Sequence, residues 1–132
     1  MAESHEQKAV VEWFRLQYPQ DARAIRASQS GGFKGKGIQG AIRMKHQIAM
    51  GVVPGESDLA ILLPRGQYGC LLIEMKITDD RRGARKNQNE YIEYHNSIGN
   101  CAIVATGVDT AIAAIKTYMN LKKGESHDRS SR

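Results

Sequence analysis

Three charged residues near the middle of the chain have the types and spacing of a metal-assisted hydrolytic site. Glu74 and Lys76 interrupt an apolar run, LLIEMKI. If that run is a strand, the two side chains share one face, because successive strand residues point to opposite faces. Asp58 opens the preceding apolar run, and the intervening PRGQYG favours a hairpin with a medium loop. With residue 58 opposite residue 74, all three groups converge at one end of a sheet.

The chemistry suited to these groups is metal-dependent hydrolysis. Charges buried in a central strand are costly unless they are paired or bind a metal. Two carboxylates with a backbone carbonyl between them form a hard-oxygen site that suits Mg²⁺, for which Mn²⁺ would substitute. Such a metal would polarise a phosphodiester oxygen and activate a water, while Lys76 orients that water or stabilises developing charge. The expected reaction is therefore hydrolysis of a phosphodiester bond.

An Asp followed by ExK is a weak pattern alone, because most matches are surface carboxylates and lysines. Glu6 is a candidate fourth member of the site. It precedes Val10 and Trp13 by four and seven residues, which places it on the buried side of a helix, whereas Glu12 falls on the solvent side. An acid in that inward position is awkward without a partner.

The elements that would position these residues follow from periodicity and from turn and capping signals. In chain order, a first helix spans 6–18, with Ser4 and Gln7 as a capping box and Pro19 as its stop, and a second helix includes Ile38, Ile42, Lys45 and Ala49. Strands over 58–63 and 70–77 come next, followed by a helix over 87–98 and a fully buried strand over 101–106. A last helix is capped by Asp109 and has Ile112, Ile115 and Met119 on one face. The order predicts one α/β domain over 1–123, with a mixed β-sheet flanked by helices and a helical crossover to a parallel strand. The polar segment 124–132 is expected to be disordered.

Two basic segments and a net charge of +5 favour a polyanionic partner. Residues 31–40, GGFKGKGIQG, form either a flexible loop or a flap whose Lys34 and Lys36 meet phosphates; the composition leaves both open. After the predicted site comes a basic patch that would contact the DNA backbone, although charge runs are more often solvated faces. Its members are Arg81, Arg82, Arg85 and Lys86.

Other classes of protein are disfavoured. No apolar run approaches the roughly 20 residues that a membrane span needs. The opening MAESHEQK lacks the pattern of a signal peptide, so we expect an intracellular, cytoplasmic location. The two cysteines, Cys70 and Cys101, lie in apolar runs without metal or redox spacing and are expected to be buried thiols.

In these residues and their spacing, the sequence resembles the virus-type replication-repair nuclease (VRR-NUC) domain of the PD-(D/E)XK nuclease superfamily. The resemblance covers nearly the whole chain: the EQ pair at residues 6 and 7, GVVPGESDL, LLIEMK, NQNEYIEYHNSIG and CAIVAT. It implies a restriction-endonuclease-like core. One departure is Ser57, which stands where the family usually has a proline before its first metal-binding Asp.

The resemblance also implies roles for individual residues. Gln88 would support the lysine and the water, although an ordinary helix hydrogen bond is an equally good interpretation. The implied set consists of Asp58, Glu74 and the Met75 carbonyl as metal ligands, Lys76 as the catalytic lysine, Glu6 as a metal-linked acid, and Gln88.

The implied function is that of a stand-alone, viral (phage) Mg²⁺-dependent endonuclease that cuts branched DNA such as Holliday junctions in replication, repair or recombination. Two symmetric incisions by a domain with one site favour a two-fold homodimer. Two alternatives remain open: a sequence-specific restriction-type nuclease, and a DNA-binding accessory protein without turnover. The second is disfavoured because a pure binder would gain from losing carboxylates that repel phosphates.

Overall fold

The computed structural model describes residues 2–28, 37–76 and 86–123 of the 132-residue chain. The elements, in chain order, are α1 (Ala2–Gln17), a 3-10 helix (Pro19–Ala24), β1 (Ile25–Ala27), α2 (Gly37–Ala49), β2 (Leu59–Ile61), β3 (Leu71–Lys76), α3 (Lys86–Ser97), β4 (Cys101–Thr106) and α4 (Val108–Met119). The predicted tail over 124–132 lies outside the described residues, and the predicted limits of the domain stay a prediction.

The four strands form one mixed sheet in the order β1-β2-β3-β4. The pairs β1/β2 and β2/β3 are antiparallel, the second as its hairpin requires, and β3/β4 is parallel with α3 as its crossover. This confirms the predicted α/β fold with a mixed sheet and with β2 and β3 at its centre. Leu59 pairs with Ile73, so the same register continued by one residue sets Asp58 opposite Glu74.

The hydrophobic core lies on one face of the sheet, under α1 and α4. Alternate residues of β2 and β3 point into it, because strand side chains alternate between faces. Its fully buried members are Val10, Phe14, Leu59, Ile61, Leu71, Ile73, Met75, Ala105, Ala111 and Ile115, with Ile25 and Tyr118 nearly so. The other residues of β2 and β3, including Glu74 and Lys76, therefore point to the opposite face, which α3 crosses.

The start of the chain differs from the prediction in two ways. The helix α1 begins at Ala2, so Ser4 lies within it and the capping box with Gln7 is wrong. Pro19 does follow the end of α1, but it then starts a 3-10 helix that leads into β1, and neither element was predicted. Proline suits the first turn of a helix because its missing N–H has no intrahelical partner there. A three-residue strand is too short to show an alternating pattern.

Four further expectations are corrected by the structure. Residues 37–40 belong to α2 and not to the glycine-rich loop, while 31–36 lie outside the described residues. Asp109 is in the first turn of α4, whose N-cap is Gly107 with φ of 85°, a conformation that favours glycine. Val104 is 51% exposed, so β4 is not fully buried, because it forms an edge of the sheet. The two cysteines are only partly buried, and desolvation raises the pKa of both thiols.

None of the helices in the described ranges is both long and apolar enough to cross a membrane.

Phe14 and Leu16 offer a matched test of the core, because both are large apolar residues near the end of α1. Phe14 is fully buried and Leu16 is 83% exposed. Phe14→Ala is expected to lower the free energy of unfolding by about 3–5 kcal/mol, whereas Leu16→Ala should change it by no more than about 0.5 kcal/mol. Urea denaturation followed by circular dichroism measures both. Equal losses in the two variants would contradict the packing described here.

Candidate active site

Asp58 is held in place by a hydrogen bond to the backbone of the neighbouring strand. The ladder between β2 and β3 stops at the pair Leu59 and Ile73, so the N–H of Met75 has no partner in β2. The Asp58 carboxylate supplies one: the Met75 N–H donates to Oδ2 at 2.7 Å. A hydrogen bond to an ionised acceptor is stronger than a neutral one, so this contact fixes the carboxylate against β3.

The carbonyl of Met75 points to the same edge of β3 as its N–H. On the other edge, the Gly107 N–H donates to the Lys76 carbonyl at 2.8 Å, in continuation of the β3/β4 ladder. In a strand, the N–H and C=O of one residue point to one neighbouring strand, and those of the next residue point to the other. The N–H and C=O of Met75 therefore both point to the side where Asp58 lies. A carboxylate and a carbonyl oxygen therefore share this edge.

Glu74 is a buried carboxylate, with only 4% of the residue exposed. The Gln88 side chain, in the first turn of α3, donates from Nε2 to Glu74 Oε2 at 2.8 Å. Lys76 Nζ lies 3.8 Å from the same oxygen. The amide and the ammonium both stabilise the ionised form, which a buried carboxylate requires. The sequence predicted that Gln88 supports the lysine; the structure brings it to the carboxylate that the lysine also contacts.

Glu6 lies on the inward side of α1, as predicted. It shares a face with Val10 and Phe14, which are fully buried, whereas Glu12 is exposed. Its Oε1 is buried and has no hydrogen-bond partner in the described parts of the chain. Burial of such an oxygen is costly, so it suits a bound cation or water. Within residues 2–28, 37–76 and 86–123, no three Asp, Glu, His or Cys side chains form a metal-binding group, so the role of Glu6 stays a prediction.

The donors at the edge of β3 nevertheless fit a hard divalent cation. Mg²⁺ commonly uses one or two protein carboxylates and completes its shell with waters and substrate oxygens. Asp58, Glu74 and the Met75 carbonyl offer oxygen only, and Glu74 is a buried charge that a cation would stabilise. Mn²⁺ accepts the same donors. The assignment of these residues as ligands stays a prediction.

One of the six predicted DNA-binding residues lies in the part of the chain that the structure describes. Lys34, Lys36, Arg81, Arg82 and Arg85 lie outside the described residues. Lys86, the first residue of α3, is highly exposed, with its Nζ 4.0 Å from Glu90 Oε2. An exposed pair of this kind contributes little to stability, so Lys86 remains available to a phosphate.

Several residues beside the site were not singled out from the sequence. Ser57, noted only as a departure from the family, is buried and its Oγ has no partner among the described atoms. Arg26 was missed because β1 was missed. Tyr91 and His95 lie on the side of α3 that carries Gln88, and that helical spacing was the one signal available for them.

The fold and site define an α/β protein with a carboxylate and lysine site where the two central strands of a mixed sheet end. A solved structure described as a "VRR_NUC domain protein" aligns with this chain with probability 1.00, a TM-score of 0.75 and 31% sequence identity, over 93% of this chain and 92% of that chain. No protein-family model and no curated protein matches the sequence. At this identity and coverage, the chain belongs to the VRR-NUC family, which confirms the resemblance found in the sequence.

The buried Glu74 carboxylate leads to a prediction about stability that does not depend on activity. A cation that binds only the folded chain stabilises it by about 1.4 kcal/mol at ten times its dissociation constant, or roughly 4 °C in Tm. We expect Mg²⁺, compared with EDTA, to raise the Tm of the wild type and to have little effect on Glu74→Gln. Glu12→Gln, at an exposed position of α1, is the charge-matched control. An equal rise in Glu74→Gln would place the metal elsewhere.

Proposed function

We propose that the chain is a metal-dependent endonuclease that hydrolyses phosphodiester bonds in DNA, with Mg²⁺ as its cofactor. The observation that carries the proposal is the buried Glu74 carboxylate, which Lys76 and Gln88 contact, in a register that sets Asp58 opposite it. The solved structure with the same fold is named for a nuclease-type domain. A net charge of +5 suits a polyanionic substrate.

Each residue has a definite part in this mechanism. Asp58, fixed by the Met75 N–H, and Glu74, fixed by Gln88, would hold the cation, with the Met75 carbonyl as a third oxygen. When bound, the cation supplies Lewis-acid polarisation of the phosphate and a lowered pKa for a coordinated water. Lys76 is partly exposed, so its ammonium can reach from Glu74 to the attacking water or to a phosphate oxygen. There it would neutralise charge that develops in the transition state.

The favoured substrate is branched DNA, such as a four-way junction met in replication, repair or recombination. The predicted basic residues, of which Lys86 lies in the first turn of α3 with Gln88, would contact phosphates, which positions DNA without reading its sequence. Selection would then depend on the shape of the DNA. The viral origin and the intracellular location stay predictions.

Cleavage assays with labelled four-way junction, flap and linear duplex DNA test this function. Glu74→Ala and Lys76→Ala are each expected to lower the cleavage rate at least about a hundredfold, because each removes a charge that acts in the transition state, while DNA binding largely persists. Lys8→Ala, which removes an exposed lysine of α1, should cut normally. Cleavage should require Mg²⁺ or Mn²⁺ and stop in EDTA.

Three results would overturn the proposal in distinct ways. Turnover retained in both site variants would mean that the site lies elsewhere. Cutting of plain duplex at one sequence would indicate a restriction-type nuclease. DNA binding without cutting of any substrate would indicate an accessory protein.

We also propose that the nuclease acts as a homodimer, with α2 as its contact. Apolar side chains of α2 and of the turn after it are exposed, including Ile38 at 79%, Ile42 at 60% and Met50 at 74%. An exposed apolar patch commonly marks an interface. A four-way junction needs two symmetric incisions, which a second copy related by a two-fold axis would supply.

Sedimentation velocity tests the dimer. Ile42→Glu is expected to convert the wild-type dimer to a monomer, because it places a charge in an apolar contact. Leu16→Glu makes the same kind of change at an exposed apolar position of α1 and should leave the dimer intact. A monomeric wild type, or a dimer unaffected by Ile42→Glu, would contradict the assignment of α2.

A further inference from the structure

A cavity of about 190 Å³ opens on the same face of the sheet as the candidate active site. We call it the α3 pocket, because it lies between α3 and the strands β1 to β3. Ala60 and Leu72 form its floor, Tyr91 and His95 form its aromatic wall, and Arg26 and Glu56 stand at its polar edge. The mechanism proposed above uses none of these residues.

The α3 pocket lies next to the candidate active site along both central strands. Ala60 and Leu72 are the next residues on the same face after Asp58 and Glu74, about 7 Å along each strand. On α3, Tyr91 follows Gln88 by three residues, which carries the same helix face from Glu74 toward the cavity. At about 3.4 Å per stacked nucleotide, the floor of the pocket lies only a few nucleotide steps from a phosphate bound at Glu74.

The chemistry of the walls suits a flat, mostly apolar ring with polar edges. Leu72 is buried in the floor, and Leu62 at the rim is 51% exposed, so apolar surface is available to a ligand. The rings of Tyr91 and His95 lie 4.3 Å apart, centroid to centroid. Burial lowers the pKa of His95, which favours the uncharged imidazole, and the ring presents an aromatic surface.

The polar edge offers a donor and an acceptor close together. The Tyr91 hydroxyl is near the Glu56 carboxylate, the Arg26 guanidinium and the backbone of Ser57. Charged groups of both signs suit the edge of a nucleobase, which carries donors and acceptors, better than they suit a phosphate, which only accepts. The cavity has the volume of about six waters, which is enough for a single base ring but too little for a drug-sized ligand.

We propose that the α3 pocket receives an unstacked nucleobase of the DNA strand that is cut, a few nucleotides from the scissile phosphate. This inference rests on the proposed nuclease function and names what the site recognises in its substrate. Unstacking a base costs least where pairing is already broken, as at a branch point. The pocket would therefore select branched DNA over plain duplex.

A scan with abasic sites tests the inference by binding alone. A series of four-way junctions, each lacking one base within a few nucleotides of the branch, is titrated with Lys76→Ala protein in Mg²⁺ and followed by fluorescence anisotropy. One position is expected to weaken binding about tenfold, the typical effect of losing one base stacked on aromatic rings. Equal affinity for every abasic junction would overturn the proposal.

Variants on one helix then connect the effect to the pocket. Tyr91→Leu removes the aromatic wall and keeps apolar bulk, so the abasic penalty should disappear in this background, because the two changes remove the same contact. Tyr94→Leu is the matched control on the exposed side of α3, and there the penalty should persist. A penalty unchanged by Tyr91→Leu would place the base elsewhere and overturn the assignment.

Filling the cavity gives an independent measurement should Tyr91→Leu fail to fold. Ala60→Met places a larger side chain in the floor of the pocket, so it should lower the affinity for the intact junction to that for the abasic junction. Ala113→Met, at an exposed position of α4, should leave the affinity for the intact junction unchanged. The outcomes separate the two proposals. Weaker binding at one abasic position, without cleavage by the wild type, would support the pocket and overturn the nuclease function. Cleavage by the wild type, with equal affinity for every abasic junction, would support the nuclease function and overturn the pocket.

Discussion

Glu74 places a carboxylate in the centre of the sheet, where only 4% of the residue is exposed. Much of the structure around it provides the polar partners that this buried charge requires. An isolated buried carboxylate costs several kcal/mol, so a stable fold must supply partners. α3 supplies Gln88, and the same strand supplies Lys76. The crossover from β3 to β4 therefore does more than connect parallel strands, because its first turn holds the site together.

The end of a strand is what makes the site accessible to a substrate. β2 pairs with β3 only from Leu59 onward, so Met75 extends beyond the ladder with its backbone groups toward Asp58. If β2 continued regularly, a backbone carbonyl would take the Met75 N–H, and the Asp58 carboxylate would not be needed there. Alternation thus separates two faces of the sheet: Ile73 and Met75 are buried in the core, while Glu74 and Lys76 point to the opposite face, where the proposed active site lies.

The sequence alone predicted the strands and helices whose patterns are long or strongly constrained. β3, β4 and α3 were found within a residue or so at either end, because apolar runs bounded by glycines and a helical repeat give strong signals. The convergence of Asp58 with Glu74 followed from the hairpin. β1 was missed because three residues carry no usable period, and the Ser4 capping box was wrong because the helix had already begun. Arg26 and the α3 pocket depend on β1, and so no local pattern could have revealed them.

The energetics of nucleic acid bound across this face argue for recognition by shape. Unstacking and unpairing a base in regular duplex costs a few kcal/mol, and stacking it on aromatic side chains returns about 1–3 kcal/mol. For duplex DNA the two terms nearly cancel, so the α3 pocket would add little to binding. At a branch the base is already unpaired, so the protein would not have to supply the free energy of opening the duplex. Stacking on Tyr91 and His95 would then be a net gain. Because the pocket and Glu74 lie on the same face of the sheet and both contact α3, that gain would also hold the strand beside the proposed catalytic residues.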